Sequence, residues 1–325
     1  MCKEDLVTAV SIAVHEAPQA LDDQIENIKK YIRHPIIVIH ISAGQCENFP
    51  IDKLRKKKHV FVNPEHLHTS WGDIVRVHLS NFIYISRQTT FDYFVLHASN
   101  DCYVKKGMER YIGKYRAGFN RRRVNEKTSG WCMAQPAVAD PVLQQVSREC
   151  GNKGIVASQA EGSFYSYEIM LTIVKKLSGR LLSDTDWSYT KEEFFFSTAA
   201  YGMLSEKEIG YPIVFSEVHR FDRMYYRYLD VSRRIFRGTY ENRMKNIADG
   251  LVLRILRRGN WYGLSKKDIC AVRERNYRQL LKNQFLDDGS GEFQLYDPDG
   301  LFAVKRVPRN SRHPLRTYIR ELSVK

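Results

Sequence analysis

The chain has 325 residues, 43% of them hydrophobic, so it is long enough to bury a substantial core as one large α/β domain or two small ones. It carries 51 lysine and arginine residues against 37 acidic ones, a net charge of +14, which favours a partner that carries phosphate or is otherwise polyanionic. The densest apolar run, Ile36 to Ile41, is too short to cross a bilayer, and no apolar leader follows a basic start, so a soluble, cytoplasmic protein is expected.

Short β-branched runs alternate with longer stretches of helical period in the first third of the chain. This alternation predicts an open, mostly parallel sheet with helices on both faces, which binds its ligand at the carboxyl ends of the strands. The predicted strands are Leu6–Val14, Ile36–Ile41, His59–Val62 and Phe91–Leu96, and the predicted helices are Ala20–Ile32, Trp71–Ile85 and Val104–Tyr115.

The rest of the chain is less regular. The segment from Asn120 to Gly154 is basic at its start and poor in periodicity, so we interpret it as a loop or insertion. Helical period returns at Tyr165–Leu177 and Thr190–Tyr201. From Arg220 to Arg278 the chain is dense in arginine and tyrosine, which fits either a solvated basic helix or a surface for an acceptor or an anionic membrane.

Six segments, in this order, resemble the core-2/I-branching β-1,6-N-acetylglucosaminyltransferase family, which includes peptide-O-xylosyltransferases and bacterial relatives. Two departures from the family pattern are a turn without glycine at Ser99–Cys102 and Phe164 where relatives prefer tryptophan. The six segments span most of the chain and read VSIAVHEAPQALDDQIENI, HTSWGDIVRVHLSNFIYI, FDYFVLHASNDCYV, EGSFYSYEIM, EEFFFSTAAYG and LFAVK.

The resemblance implies a GT-A-like, Rossmann-type fold in two parts. Residues 1–219 would form the catalytic core with the nucleotide-sugar and acceptor sites, and residues 220–325 a basic, helical region that completes the diphosphate site. The implied reaction is inverting transfer of N-acetylglucosamine or xylose from a UDP-sugar donor to a glycan hydroxyl. Animal relatives carry a membrane anchor that this sequence lacks, so we expect a bacterial enzyme of capsule or lipopolysaccharide synthesis. Its acceptor would be a glycan or a lipid-linked oligosaccharide, and its place the inner face of the cytoplasmic membrane, as a peripheral protein.

By the same resemblance, Glu193 is the catalytic base and Lys305 neutralises the diphosphate. The phenylalanines that follow Glu193 would raise its proton affinity by desolvation. Alternatively, Glu192 and Glu193 are the acidic first turn of a helix whose phenylalanines are simply core. The candidates for a partner arginine of Lys305 are Arg273, Arg275 and Arg278.

The other candidate site residues each have a structural alternative. Either His15 contacts the nucleotide or it is a structural histidine at a strand end, and Asn100 and Asp101 either bind sugar hydroxyls or form a plain turn. Ser163 either lines the acceptor site or caps a helix. Besides Lys305 and the three candidate arginines, the donor set is His15, Trp71, Gly72, Asn100 and Asp101, and the acceptor set is Glu161, Gly162, Ser163 and Phe164.

No metal or other cofactor is expected, because the core-2 enzymes replace the metal of related transferases with basic side chains. Two Asp-x-Asp triplets, Asp184–Asp186 and Asp297–Asp299, are interpreted as turn or N-cap aspartates, so manganese or magnesium is the less favoured reading. The alternatives from other classes are a basic nucleic-acid-binding protein, suggested by the charge and the Arg220–Arg237 segment, and an inactive homologue that only binds glycan.

Overall fold

The computed structural model describes residues 5–69, 72–124, 133–151, 153–180, 189–216, 251–252, 255, 263–276, 296–297 and 299–324. Numbered within these residues, the strands are β1 Val7–Val14, β2 His34–Ile41, β3 Val60–Val62, β4 Tyr93–Ala98, β5 Cys102–Tyr103, β6 Ala117–Gly118, β7 Arg122–Val124, β8 Ile155–Ala157, β9 Phe164–Ser166, β10 Ile209–Gly210, β11 Val214–Phe215 and β12 Ala303–Val304. The helices are α1 Pro18–Tyr31, α2 Ile51–Arg55, α3 Val75–Ser86, α4 Met108–Ile112, α5 Ala134–Ala139, α6 Pro141–Glu149, α7 Tyr167–Leu177, α8 Phe195–Met203, α9 Lys266–Glu274 and α10 Pro314–Glu321.

The central sheet of the described part has seven strands in the order β3-β2-β1-β4-β9-β6-β10. Strands β1 to β4 are mutually parallel, whereas β9 runs antiparallel to both of its neighbours. From β1 the chain moves outward to β2 and β3, and then returns to add β4 on the other side of β1. The carboxyl ends of β1 and β4 therefore flank the point where the strand order reverses, which is where open α/β sheets bind their ligands.

Helices cover both faces of this sheet, as predicted. Alternate residues of β1 point to opposite faces: Ala9 joins one core cluster, and Val10 and Ile12 join the other. The first cluster takes in apolar residues of α3, α6, α7 and α8, and the second takes in those of α1, α2 and α4. Because both faces are buried, β1 and β2 read as nearly continuous apolar runs.

A second, smaller sheet pairs β12, near the end of the chain, with β5, which follows the turn after β4. It has the order β11-β12-β5, with β12 parallel to β11 and antiparallel to β5. Helices α9 and α10 pack on it through Ile269, Val272, Leu315 and Ile319. Lys305, which follows β12 directly, is thereby held close to the turn that follows β4. Most of the segment from Arg220 to Arg278 lies outside the described residues.

Two of the predicted elements are wrong. The helix predicted at Val104–Tyr115 shrinks to α4, since the chain before it pairs as β5 with β12. The segment from Asn120 to Gly154, interpreted as irregular, contains β7, α5 and α6. The sequence does contain a start signal for α6, since the Asp140 carboxylate caps this helix by accepting hydrogen bonds from the Val142 and Leu143 amides.

Among the described helices, none is both long and apolar enough to cross a membrane.

Candidate functional site

A cleft of about 380 Å³ opens at the carboxyl ends of β1 and β4. It brings together five residues that the sequence singled out from distant segments: His15, Asn100, Glu161, Glu193 and Lys305. We call it the switch-point cleft, because it lies where the strand order reverses.

The wall that carries Glu161 is fixed to the edge of β4 by backbone hydrogen bonds. The Gly162 amide donates to the Leu96 carbonyl over 2.8 Å, and the Leu96 amide donates to the Ser163 carbonyl over 2.9 Å. Gly162 has a φ of 78°, and a Cβ there would lie 2.5 Å from the Val214 amide nitrogen. Only glycine meets both conditions, so Gly162 fixes the position of the wall.

We therefore expect Gly162→Ala to lower the free energy of unfolding by about 2 kcal/mol or more, because the left-handed backbone and the contact with Val214 both add strain. Gly179→Ala is the matched control, since Gly179 has a similar φ of 85° but nothing within 4 Å of the added Cβ. We expect about 1 kcal/mol for this control. Urea unfolding of both variants measures the difference, and equal losses would show that the close approach is unimportant.

Lys305 and Glu161 form an ion pair across the cleft. Their Nζ and Oε2 atoms are 2.7 Å apart, and the side chains are only 15% and 21% exposed. Burial alone would lower the pKa of Lys305, but the carboxylates of Glu161 and Asp101 outweigh it and raise the pKa above its ordinary value. For Glu161, burial raises the pKa and the lysine lowers it, with a net decrease. Both groups are therefore charged near neutral pH.

Glu192 and Glu193 line the same cleft and belong to a short 3₁₀ turn, Lys191–Glu193, which precedes α8. Burial raises the pKa of Glu193 to about 8, reinforced by the charge of Glu192 and opposed by that of Lys305. Burial likewise raises the pKa of Glu192 to about 7. Since α8 begins at Phe195, the two carboxyls lie before the helix and not in its first turn. The three phenylalanines that follow Glu193 are buried core residues.

Two arginines that the sequence analysis missed line the same cleft, Arg306 and Arg309. Arg309 Nη1 lies 2.8 Å from the Glu16 carboxylate, and Nη2 donates to the Ser99 hydroxyl over 3.0 Å. The Val307 amide donates to the Asn100 carbonyl over 3.0 Å and ties this segment to the turn after β4. The only available signal was the cluster of cations that follows Lys305 in the sequence KRVPR.

The switch-point cleft is also lined by two buried histidines that the sequence analysis did not identify, His78 on α3 and His97 on β4. Burial lowers the pKa of His78 to about 3 and that of His97 to about 4, so both rings are neutral. His97 Nδ1 lies 2.9 Å from the Gln24 amide nitrogen and 3.2 Å from the Ala98 carbonyl oxygen, so these neighbours hold the orientation of the ring. His97 Nε2 is buried and has no hydrogen-bond partner among the described residues.

Several predicted site residues make contacts within the protein. Phe164 is fully buried against Gly118, and the Ser163 hydroxyl donates to the Gln159 carbonyl, in a strand connection and not at a helix cap. The buried Asp101 carboxylate accepts a hydrogen bond from the Ala98 amide within the turn. Gly72 accepts one from the Lys191 amide over 3.4 Å, next to the 3₁₀ turn.

The predicted partner arginines are not brought to the cleft. Arg273 donates to the Ser323 carbonyl, and Arg275 pairs with Asp299 over 3.4 Å on another surface. Trp71, Arg278 and the triplet Asp184–Asp186 lie outside the described residues. Among the residues that are described, no group of three or more histidine, cysteine, aspartate or glutamate side chains is arranged to hold a metal ion.

The switch-point cleft thus combines carboxyls that hold their protons near neutral pH with cations able to receive an anion. No protein-family model matches the chain. No curated protein matches it either. The chemistry of the cleft is therefore the basis for assigning a function.

Proposed function

We propose that the protein is an inverting glycosyltransferase with a GT-A-like fold, which transfers a sugar from a UDP-sugar to a glycan hydroxyl. One observation supports this most strongly: a carboxyl with a raised pKa and a buried lysine share a cleft at the switch point of a β3-β2-β1-β4 sheet. Sheets with this strand order bind nucleotides at that crevice. The resemblance of the sequence to the core-2/I-branching family points to the same reaction.

The cations of the cleft suit the leaving diphosphate. Lys305 keeps its proton because carboxylates surround it, and Arg306 and Arg309 stand within four residues of it. A nucleotide diphosphate would exchange the Glu161 and Glu16 carboxylates for phosphate oxygens as partners of Lys305 and Arg309. Fixed positive charge at this position stabilises the charge that develops on the leaving group, so the proposed reaction needs no metal ion.

Glu193 would act as the base. Its carboxylate takes the proton of the acceptor hydroxyl while the acceptor oxygen bonds to the anomeric carbon and the bond from that carbon to the diphosphate oxygen breaks. The electrons of the broken bond leave with UDP, and the configuration inverts in one displacement. A carboxyl whose pKa lies near the working pH is an efficient acceptor for this proton.

The finer identity of the substrates follows from the resemblance alone. N-acetylglucosamine or xylose is the proposed sugar, and a glycan or lipid-linked precursor of capsule or lipopolysaccharide is the proposed acceptor. An enzyme acting on such a precursor would work as a peripheral protein on the inner face of the cytoplasmic membrane.

A donor panel tests the proposal. The protein is incubated with UDP-N-acetylglucosamine, UDP-xylose, UDP-glucose and UDP-galactose in EDTA, with and without oligosaccharide acceptors, and released UDP is measured. Release from one or two donors, increased by an acceptor, is the expected result. No release from any donor, together with tight binding of random DNA that weakens steeply with salt, would favour the nucleic-acid-binding alternative.

A further inference from the structure

A second cleft, of about 820 Å³, lies between the end of α1 and α4. We call it the basic cleft, because its lining includes seven lysine and arginine residues but only two acidic ones, Glu109 and Asp299. The seven are Lys29, Lys30, Arg33, Lys106, Arg110, Lys114 and Arg275.

The two acidic residues are already engaged. A Glu109 carboxylate oxygen accepts a hydrogen bond from the Arg33 amide over 2.6 Å, and Asp299 pairs with Arg275. Four of the cations, by contrast, have no carboxylate within ion-pairing distance in the described part of the chain. These four are Lys29, Lys106, Arg110 and Lys114. Unpaired like charges around one concave surface repel each other, and a bound anion would relieve that repulsion.

A buried ammonium adds an independent sign of a ligand. Lys105 is only 8% exposed, its Nζ lies 4.6 Å from the centre of the Phe302 ring, and Phe302 lines the basic cleft. That Nζ has no hydrogen-bond partner among the described residues. Burial and the nearby Arg275 lower the pKa of Lys105 to about 8, although Asp299 opposes them. The Phe302 ring offsets only part of the cost of burying this charge, and an anion beside it would offset more.

We propose that the basic cleft binds an anion carrying two or more phosphate groups. A concave site of this size suits a compact polyanion, whether it is free in solution or is the phosphorylated headgroup of a lipid. The site is separate from the switch-point cleft: Phe302, just before β12, lines one, and Lys305, just after β12, lines the other. The inference does not depend on the proposed transferase activity.

The test compares two double charge reversals of equal size. Lys106→Glu/Arg110→Glu reverses the charge of two exposed, unpaired cations of the basic cleft. The control, Arg148→Glu/Lys175→Glu, reverses two exposed cations on α6 and α7, which pack on the other face of the sheet. Inorganic tripolyphosphate is titrated calorimetrically into each protein at fixed ionic strength. We expect affinity to fall about tenfold or more in the first variant and less than about threefold in the control, because local contacts outweigh net charge.

A second arm distinguishes the source of the phosphate. Phosphatidylcholine vesicles with and without phosphatidylglycerol are sedimented with each protein. If the unmodified protein binds tripolyphosphate but not the anionic vesicles, the ligand is a soluble anion. If it sediments with the anionic vesicles, and only the basic-cleft variant loses this binding, the ligand is a lipid headgroup. Equal losses in the two variants, or no binding of either probe to the unmodified protein, would overturn the proposal.

Lys105→Met separates a ligand-binding role from a structural one. Removing an ammonium whose pKa is lowered by burial relieves a desolvation cost near neutral pH, so Tm should rise. Affinity for tripolyphosphate should fall at the same time. A rise in Tm with unchanged affinity would show that Lys105 does not contact the anion.

Discussion

Glu193→Gln is expected to reduce sugar transfer by about 10²- to 10⁴-fold while changing UDP affinity by less than about threefold, because a base acts on the acceptor proton and not on the nucleotide. The substitution keeps the shape of the side chain and removes its ability to accept a proton. Glu192→Gln is the matched control, since this neighbouring carboxyl lines the same cleft and also has a raised pKa. We expect it to retain transfer within about tenfold. A larger loss of sugar transfer in Glu192→Gln would show that Glu192 is the base.

Glu193→Gln should also stabilise the fold. The pKa of Glu193 is raised to about 8 by burial, so between the unfolded value of 4.5 and 8 the folded protein holds a proton that the unfolded chain releases. Stability therefore falls as pH rises through this window, and the loss is fully present above it. Glu193→Gln removes this loss, so its Tm should exceed that of the unmodified protein near pH 8 and differ little near pH 4. Equal Tm differences at both pH values would contradict the buried-carboxyl explanation.

Activity of the unmodified protein should depend on pH through the same carboxyl, but in the opposite direction. The base must be unprotonated, so transfer should increase with pH up to about 8 and then level off. Donor panels at several pH values measure the profile, and a plateau already reached near pH 5 would show a carboxyl of ordinary pKa.

Lys305→Ala is expected to weaken UDP binding by about 100-fold, because it removes a buried charge-assisted contact to the diphosphate. It should also destabilise the fold by about 2 kcal/mol, since Glu161 is left as a largely buried carboxylate without its partner. The lowered pKa of Glu161 means that this destabilisation is present above its unfolded pKa and is lost as pH falls through the lower folded value.

A double variant separates binding from stability. In Lys305→Met/Glu161→Gln both members of the ion pair are removed, so Tm should recover most of its loss while UDP affinity stays low. Recovery of both would show that Lys305 acts only by neutralising Glu161. Urea unfolding and calorimetric titration provide the two readouts.

The parallel half of the sheet could be predicted because its strands are buried on both faces and therefore keep an uninterrupted apolar pattern, as in Ile36–Ile41. Strand β9 could not, since its three residues pair with β4 and β6 only through tertiary contacts. The helices within the segment from Asn120 to Gly154 were missed because the segment begins with basic residues that show no periodicity, and the amphipathic pattern of α6 that follows is short.

The residues of the candidate site likewise include some that the sequence could indicate and others that it could not. His15 and Asn100 follow strand ends, a position that sequence can indicate, and Glu193 and Lys305 came from the family resemblance. Arg309 and His97 could not be found, because their presence in the cleft depends on β12 pairing with β5 and on Gln24 fixing the imidazole. Phe164 was misplaced because its partner Gly118 lies in a distant strand that leaves room for the ring.

The most direct measurement is a calorimetric titration of UDP, with ADP as the comparison, in the presence of EDTA. Binding of one UDP per chain, with weaker binding of ADP and a further loss in Arg309→Ala, is the result that the proposed nucleotide-sugar site predicts. UDP binding that requires manganese would contradict the metal-free diphosphate site, and no binding of UDP under either condition would contradict the transferase assignment itself.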